Sequence, residues 1–395
     1  MGQFFIYIIN ALGVAIFDLV DSAFGNNLGL DSICVLSAFT IITWCANVMG
    51  NLGTYAYEVK MKYFSECVIL QAISSGIVSV ILLLTHNILP HVYHLTEKQY
   101  SLFSKCLIWF AIPFVIRRIA SLMGTYVELA CKNKILIVSN IVYYMVMIAS
   151  DAVVVLSGGK CYHLVITTGL SWTIYFLFLL IFGQIKLNKP SKQGLKECMS
   201  AAKDRLIDRA LGKIATVVFN IFASYLGTEL YALHSIGYAI ATNSETVTDV
   251  WYSYQILRLH NIEDVKEKYK KYKENRRKTF IPTVLICYGL LALLILPMHG
   301  ETNLLQAFLI SCLYETQAIC LAIYENARGF LTSIQNTKIL RYGGLIGILV
   351  RIPVVLISYY TPIGLYGFAL ASGIDFLMRG IFYSYEAKKY VIQHS

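Results

Sequence analysis

Asp18 and Asp21 stand three residues apart in the first apolar stretch of the chain, on neighbouring parts of one helical face. Two carboxyls this close in a dry setting do not both stay charged. One keeps a proton, or a cation sits between them. That is the chemistry of a carrier coupled to protons or sodium; the plainer reading puts Asp21 at the outer end of a short first span. Glu245 and Asp249 form a second acidic pair, four apart, with no basic residue adjacent on that segment. Glu315 lies mid-way along an apolar run, and Asp208 opens another. Arg117, with Arg118, and Arg351 interrupt apolar runs, where a cation must find a partner, a cavity or an interface. Glu315 and Arg351 could neutralise each other, and the order of Asp375 and Arg379 suits an intrahelical pair. Ion coupling is therefore assigned to Asp21 and Asp18. Cavity or substrate contacts are assigned to Asp208, Glu245, Asp249, Glu315, Arg117 and Arg351. No residue is assigned a catalytic or metal-binding role.

These side chains need a frame that holds charge inside hydrocarbon, and the composition supplies one. Of 395 residues, 57% are hydrophobic and 14% charged, against about 25% charged in soluble domains. An ordinary cytosolic enzyme and a disordered scaffold are excluded. Apolar segments of spanning length fall at about 3–24, 31–52, 66–88, 103–126, 135–156 and 163–183, then at 212–230, 232–254, 279–298, 304–324, 340–360 and 363–382. The expected fold is an all-α polytopic membrane protein with twelve transmembrane helices in two parallel six-helix bundles. Its expected parts are a bundle at 1–185, a cytoplasmic connector at 186–209 and a second bundle at 210–395.

The net charge of +10 is read as orientation rather than nucleic-acid binding. With the N-terminus inside, basic groups gather in the cytoplasmic loops, among them Lys60, Lys134, Lys189, Lys196, the run Arg258 to Lys278, and Lys388. Both termini are then cytoplasmic, and the membrane is expected to be the plasma (inner) membrane. The stretch 262–278 reads as a cytoplasmic extension between two spans in preference to an amphipathic helix lying on the leaflet. No cleavable signal peptide is expected at the N-terminus.

The halves carry a repeat. Gly29-Leu-Asp31 can be laid on Gly227-Thr-Glu229, each in a turn between two apolar helices. Asn133-Lys134-Ile-Leu136 likewise matches Thr337-Lys338-Ile-Leu340. Two parallel copies of a six-span unit place a substrate path between bundles that rock. Phe110, Trp172, Trp251 and Tyr254 could stack on a planar cation, though Trp and Tyr near span ends also serve as interface anchors. No Walker motif, channel filter or metal-ligand spacing is present, and the ten cysteines form no CxxC pair and read as buried apolar residues.

Phe17-Asp18-Leu-Val-Asp21-Ser-Ala-Phe-Gly25, followed by Leu28-Gly29, resembles the first-helix signature of the multidrug and toxic compound extrusion (MATE) family, within the multidrug, oligosaccharidyl-lipid and polysaccharide flippase superfamily. Leu226-Gly227 with the stretch to Gly237 is similar to the equivalent turn of the second half. The resemblance implies a proton- or sodium-coupled antiporter that expels small amphipathic or cationic compounds by alternating access. Asp21 matches the family's coupling acid, and Asp208 falls near a seventh-helix acid of some members. The family's Gly-Pro opening of that helix is replaced by Leu206-Ile-Asp208-Arg209. The alternative is a flippase for a lipid-linked saccharide or another anionic amphipathic metabolite. On either reading the chain is not an enzyme, uses no cofactor beyond Na+ or H+ as coupling ion, and acts as a monomer among membrane lipids on a small-molecule or lipid-like substrate.

Overall fold

The computed structural model describes residues 20, 22–60, 62–130, 132–259, 262–334 and 339–393, and no strand occurs among them. By packing, the chain divides into two units. One is 27–213; the other is 214–395 together with the described residues that precede Asn27.

In the first unit the helices are α1 (Leu30–Met49), α2 (Leu52–Lys60), α3 (Phe64–Thr85), α4 (Leu89–Val92), α5 (Glu97–Ala111), α6 (Phe114–Leu129), α7 (Asn133–Leu156) and α8 (Cys161–Phe182). Helix α9 (Lys192–Ser224) crosses from this unit into the next. The second unit continues with α10 (Thr228–Thr248), α11 (Val250–Leu259), α12 (Val265–Met298), α13 (Leu304–Ser333), α14 (Leu340–Tyr360) and α15 (Gly364–Gln393). Its centre is α13, which packs on α10, α11, α12 and α15.

Helix α3 shows why this sequence suits lipid. Gln71, Ser74, Ser75 and Ser79 point inward, while Ile73, Ile77, Val80 and Leu84 are exposed, Leu84 to 73%. Polar side chains inside and bare apolar ones outside invert the soluble pattern. The inward hydroxyls are satisfied by backbone carbonyls, Ser74 by Gly50 at 3.2 Å and Ser79 by Ala111. Among the described residues eight helices are long and apolar enough to cross a membrane, and a ninth span arises if α5 and α6 count as one bent crossing. The first expected span lies almost wholly outside the described residues. The seventh and eighth are helical, as α9 and α10, yet are not among the helices apolar enough to cross. The described spans therefore number fewer than the twelve expected.

The repeat is visible in the backbone. Gly29 caps α1 at φ 100°, ψ 167°, and Gly227 caps α10 at φ 94°, ψ 163°. Only glycine enters that region cheaply. In both halves the next span is broken, at Gly50 between α1 and α2, and at Asp249 between α10 and α11. A carboxamide on the following span then reaches back to another near the break. Gln71 donates to Asn51 Oδ1 at 3.1 Å, and Asn275 to Gln255 Oε1 at 3.1 Å.

Two features set the ends of the units. In the first, the segment leading into α9 is fastened to the start of α3. Asn188 N–H donates to Ser65 Oγ at 2.7 Å, and Ser191 donates to Glu66 Oε1 through its N–H at 2.9 Å and its hydroxyl at 3.1 Å. In the second, α12 is 34 residues long, about 51 Å, some 20 Å more than a hydrocarbon core needs. The basic stretch is thus the extension of a span rather than a separate surface helix. Tyr272 on that extension is buried against Phe330, ring centroids 5.1 Å apart.

Candidate functional site

The second unit buries a carboxylic acid at its centre. Glu315 sits in the middle of α13 with 0% exposure. Ser244, on the facing surface of α10, donates to Glu315 Oε1 at 2.9 Å. The Cys287 thiol of α12 also faces the carboxyl, with Glu245 within electrostatic reach. Oε2 has no hydrogen-bond partner. Ser311 Oγ, one turn earlier, is likewise buried without one. A buried carboxyl held by one hydroxyl, with no cation against it among the described residues, reaches neutrality by taking up a proton or a metal cation.

Directly beside Glu315, Tyr314 enters a closed polar network. Its hydroxyl bonds His234 Nδ1; His234 Nε2 lies 3.2 Å from Asn220 Nδ2; and Tyr231 donates to Asn220 Oδ1 at 2.7 Å. Phe219, Tyr238 and Phe368 ring the imidazole. Sequence reasoning passed over His234, Ser244 and Tyr314. The available signal was a histidine inside an apolar helix, since a polar group at that depth needs a named partner.

The other assigned residues separate into groups. Glu315 and Arg351 do not meet. Arg351 instead bonds Asp375 Oδ2 at 2.8 Å and Thr216 Oγ1 at 3.1 Å. Asp375 and Arg379 form the expected intrahelical pair, at 2.6 Å and 2.8 Å. One carboxylate thus serves two guanidinium groups because α14 and α15 pack along their length. Glu245 is half-buried, one position from Ser244, while Asp249 is exposed at the helix break. Asp18 and Asp21 lie outside the described residues, and so does the side chain of Asp208.

In the first unit Arg117 and Arg118 occupy the first turns of α6. Arg117 stacks between Phe110 and Trp172, its guanidinium carbon 5.4 Å and 5.1 Å from the ring centroids. Arg118 bonds Asn51 Oδ1 at 3.2 Å and lies over Phe114. The aromatic residues read as seats for a cationic ligand are therefore partly filled by the chain's own cation.

No family model matches the chain, and no curated protein matches it. Solved structures do. An inward-facing multidrug resistance MATE family transporter of the MOP superfamily superimposes with TM-score 0.77 at 13% identity, over 95% of this chain and 94% of that one. Lipid II flippase MurJ, in an inward closed conformation, gives 0.72 at 14% identity over 98% and 88%. A MOP superfamily transporter from Pyrococcus furiosus gives 0.65 at 13% over 98% and 94%. Helices of spanning length, two helical units, repeated glycine caps and repeated span breaks agree with these likenesses: the chain is an integral membrane protein with the fold of the MATE transporters of the MOP superfamily.

Proposed function

We propose that the chain is a secondary active transporter that exports small amphipathic compounds by alternating access, in exchange for protons or sodium. Glu315 carries this reading. It is a fully buried acid in a spanning helix, bonded at one oxygen by Ser244 and open at the other. A group that binds and releases a small cation inside the membrane is the minimum device for coupling flux to an ion gradient. Asp21 and Asp18, on the first apolar segment, are proposed as further coupling groups. The basic extension of α12 supports an orientation with both termini in the cytoplasm. The chain is proposed to work as a monomer without a cofactor.

The test is flux in reconstituted liposomes under imposed proton and sodium gradients, with cationic, anionic and lipid-linked compounds as substrates. Gradient-driven flux lost in Glu315→Gln or Asp21→Asn, with folding intact, supports the reading. Undiminished flux in both variants removes it. A second reading, a flippase for a lipid-linked saccharide, is favoured by the fold shared with the lipid II flippase. Flux confined to the lipid-linked compound, independent of either gradient, selects it.

A further inference from the structure

Helix α6 begins inside a bent span. The pair α5–α6 turns by 54° at its break, where Pro113 has no N–H with which to continue the helical ladder. The bend frees the N-terminus of a 16-residue helix, and no side chain caps it. Unsatisfied N–H groups at a helix start favour anions. Broken helices in transporters present such ends to anionic substrate groups near the midplane.

The first turns of this helix add two full positive charges. Arg118 is 5% exposed, makes one side-chain hydrogen bond, to Asn51, and leaves its Nε without a partner. No carboxylate among the described residues lies within ion-pair distance of it. Trp172, which covers Arg117 from α8, also buries its indole Nε1 without an acceptor. Tyr143 and Tyr175 close around the same indole, with ring centroids 5.0 Å and 5.5 Å away. Arg117, half-buried one position before Arg118, adds its charge to the same turn. Orphaned donors gathered beside an uncapped helix start call for an acceptor from outside the chain.

We propose that the start of α6 binds the negatively charged head group of an amphipathic substrate, a carboxylate, sulfonate or phosphate joined to a flat apolar body. Arg118 and the free helix end receive the charge. Trp172 donates its N–H, and the apolar body displaces Arg117 from the faces of Phe110 and Trp172. The proposal rests on the transport reading, whose substrate class it names.

The test uses two dyes with one body: 8-anilinonaphthalene-1-sulfonate and its uncharged analogue N-phenyl-1-naphthylamine. Binding to the purified full-length protein is read by energy transfer from tryptophan, without any gradient. The sulfonate dye is expected to bind saturably, and Arg118→Gln to weaken it about tenfold or more, as loss of a charged hydrogen bond does. The neutral dye is expected to be unaffected. Trp172→Phe keeps the ring and removes the donor; it is expected to weaken only the sulfonate dye, with the other three tryptophans as energy donors. Should Arg118→Gln not fold, Trp172→Phe and Arg117→Lys still decide, since Lys keeps the charge and loses the stacked plane. Equal binding of both dyes, or variants that shift both alike, overturns the proposal. Selective sulfonate binding by a protein that drives no flux keeps the site and removes the transport reading; flux without any sulfonate preference does the reverse.

Discussion

Ser244 on α10 donates its hydroxyl to Glu315 on α13 across 2.9 Å, and the second oxygen of Glu315 has no hydrogen-bond partner. The two residues are 71 positions apart, so the bond ties two spans as well as fixing the acid. A glutamine keeps the carbonyl that Ser244 needs and removes the exchangeable proton. An alanine leaves Ser244 unpaired and opens a cavity. Glu315→Gln is therefore expected to melt within a few degrees of the parent in detergent. Glu315→Ala is expected to lose about 2–3 kcal/mol. Equal melting of the two variants would show that the bond contributes nothing.

Asp375 is the shared acceptor of Arg351 and Arg379, all three nearly or fully buried. Asp375→Asn strands two guanidinium charges, and breaking a buried pair in this way costs about 3–5 kcal/mol. Replacing Arg351 by Gln in the same chain removes one stranded charge. The double variant is expected to recover part of the loss, measured by thermal unfolding as a double-mutant cycle. Additive losses would mean that the three side chains are energetically independent.

A Cβ on Gly53 would stand 2.1 Å from the Cys67 carbonyl oxygen and 2.8 Å from Gln71 Cβ. The nearer obstacle is backbone and cannot swing away. Gly53→Ala is expected to destabilise by about 1–3 kcal/mol or more. Gly76→Ala, where nothing lies within 4 Å, is the matched control. Loss of yield and melting temperature in the first but not the second is the expected result.

Glu66 accepts both bonds that Ser191 makes ahead of α9. Glu66→Ala removes both of these bonds and leaves that from Asn188 to Ser65. Trypsin cleavage at the exposed Lys186 and Lys192 is expected to speed up several-fold, with no change at Lys98. Unchanged cleavage would mean that the segment is fixed by its packing alone.

Several spans were readable from apolarity alone. The stretch expected at 340–360 is Leu340–Tyr360, and that at 66–88 is Phe64–Thr85. The glycine turns before α1 and α10 were legible because a Leu-Gly-x-acid pattern has few other uses. The breaks at Gly50, Asp249 and Pro113 were not, since hydrophobicity runs across each of them. At Gly50 the Phe114 ring takes the space that a Cβ would need, standing 2.9 Å from it. The partner of Arg351 was equally hidden. Glu315 and Asp375 are both buried acids, and only the packing of α14 on α15 assigns the guanidinium to the second. His234 was passed over because its partners, Asn220 and Tyr314, lie 14 and 80 positions away along the chain.

Along α12 the chain passes from Arg276, Arg277 and Lys278 to Phe280 and Ile281, the last exposed to 67%, in little more than one helical turn. Tyr272 locks the polar end onto the bundle, so this step cannot slide to suit the surrounding lipid. It acts as a waterline painted on a hull. The second unit has one preferred draught, and acyl chains too long or too short for it must themselves stretch or thin around the protein, at a fraction of a kcal/mol per Å.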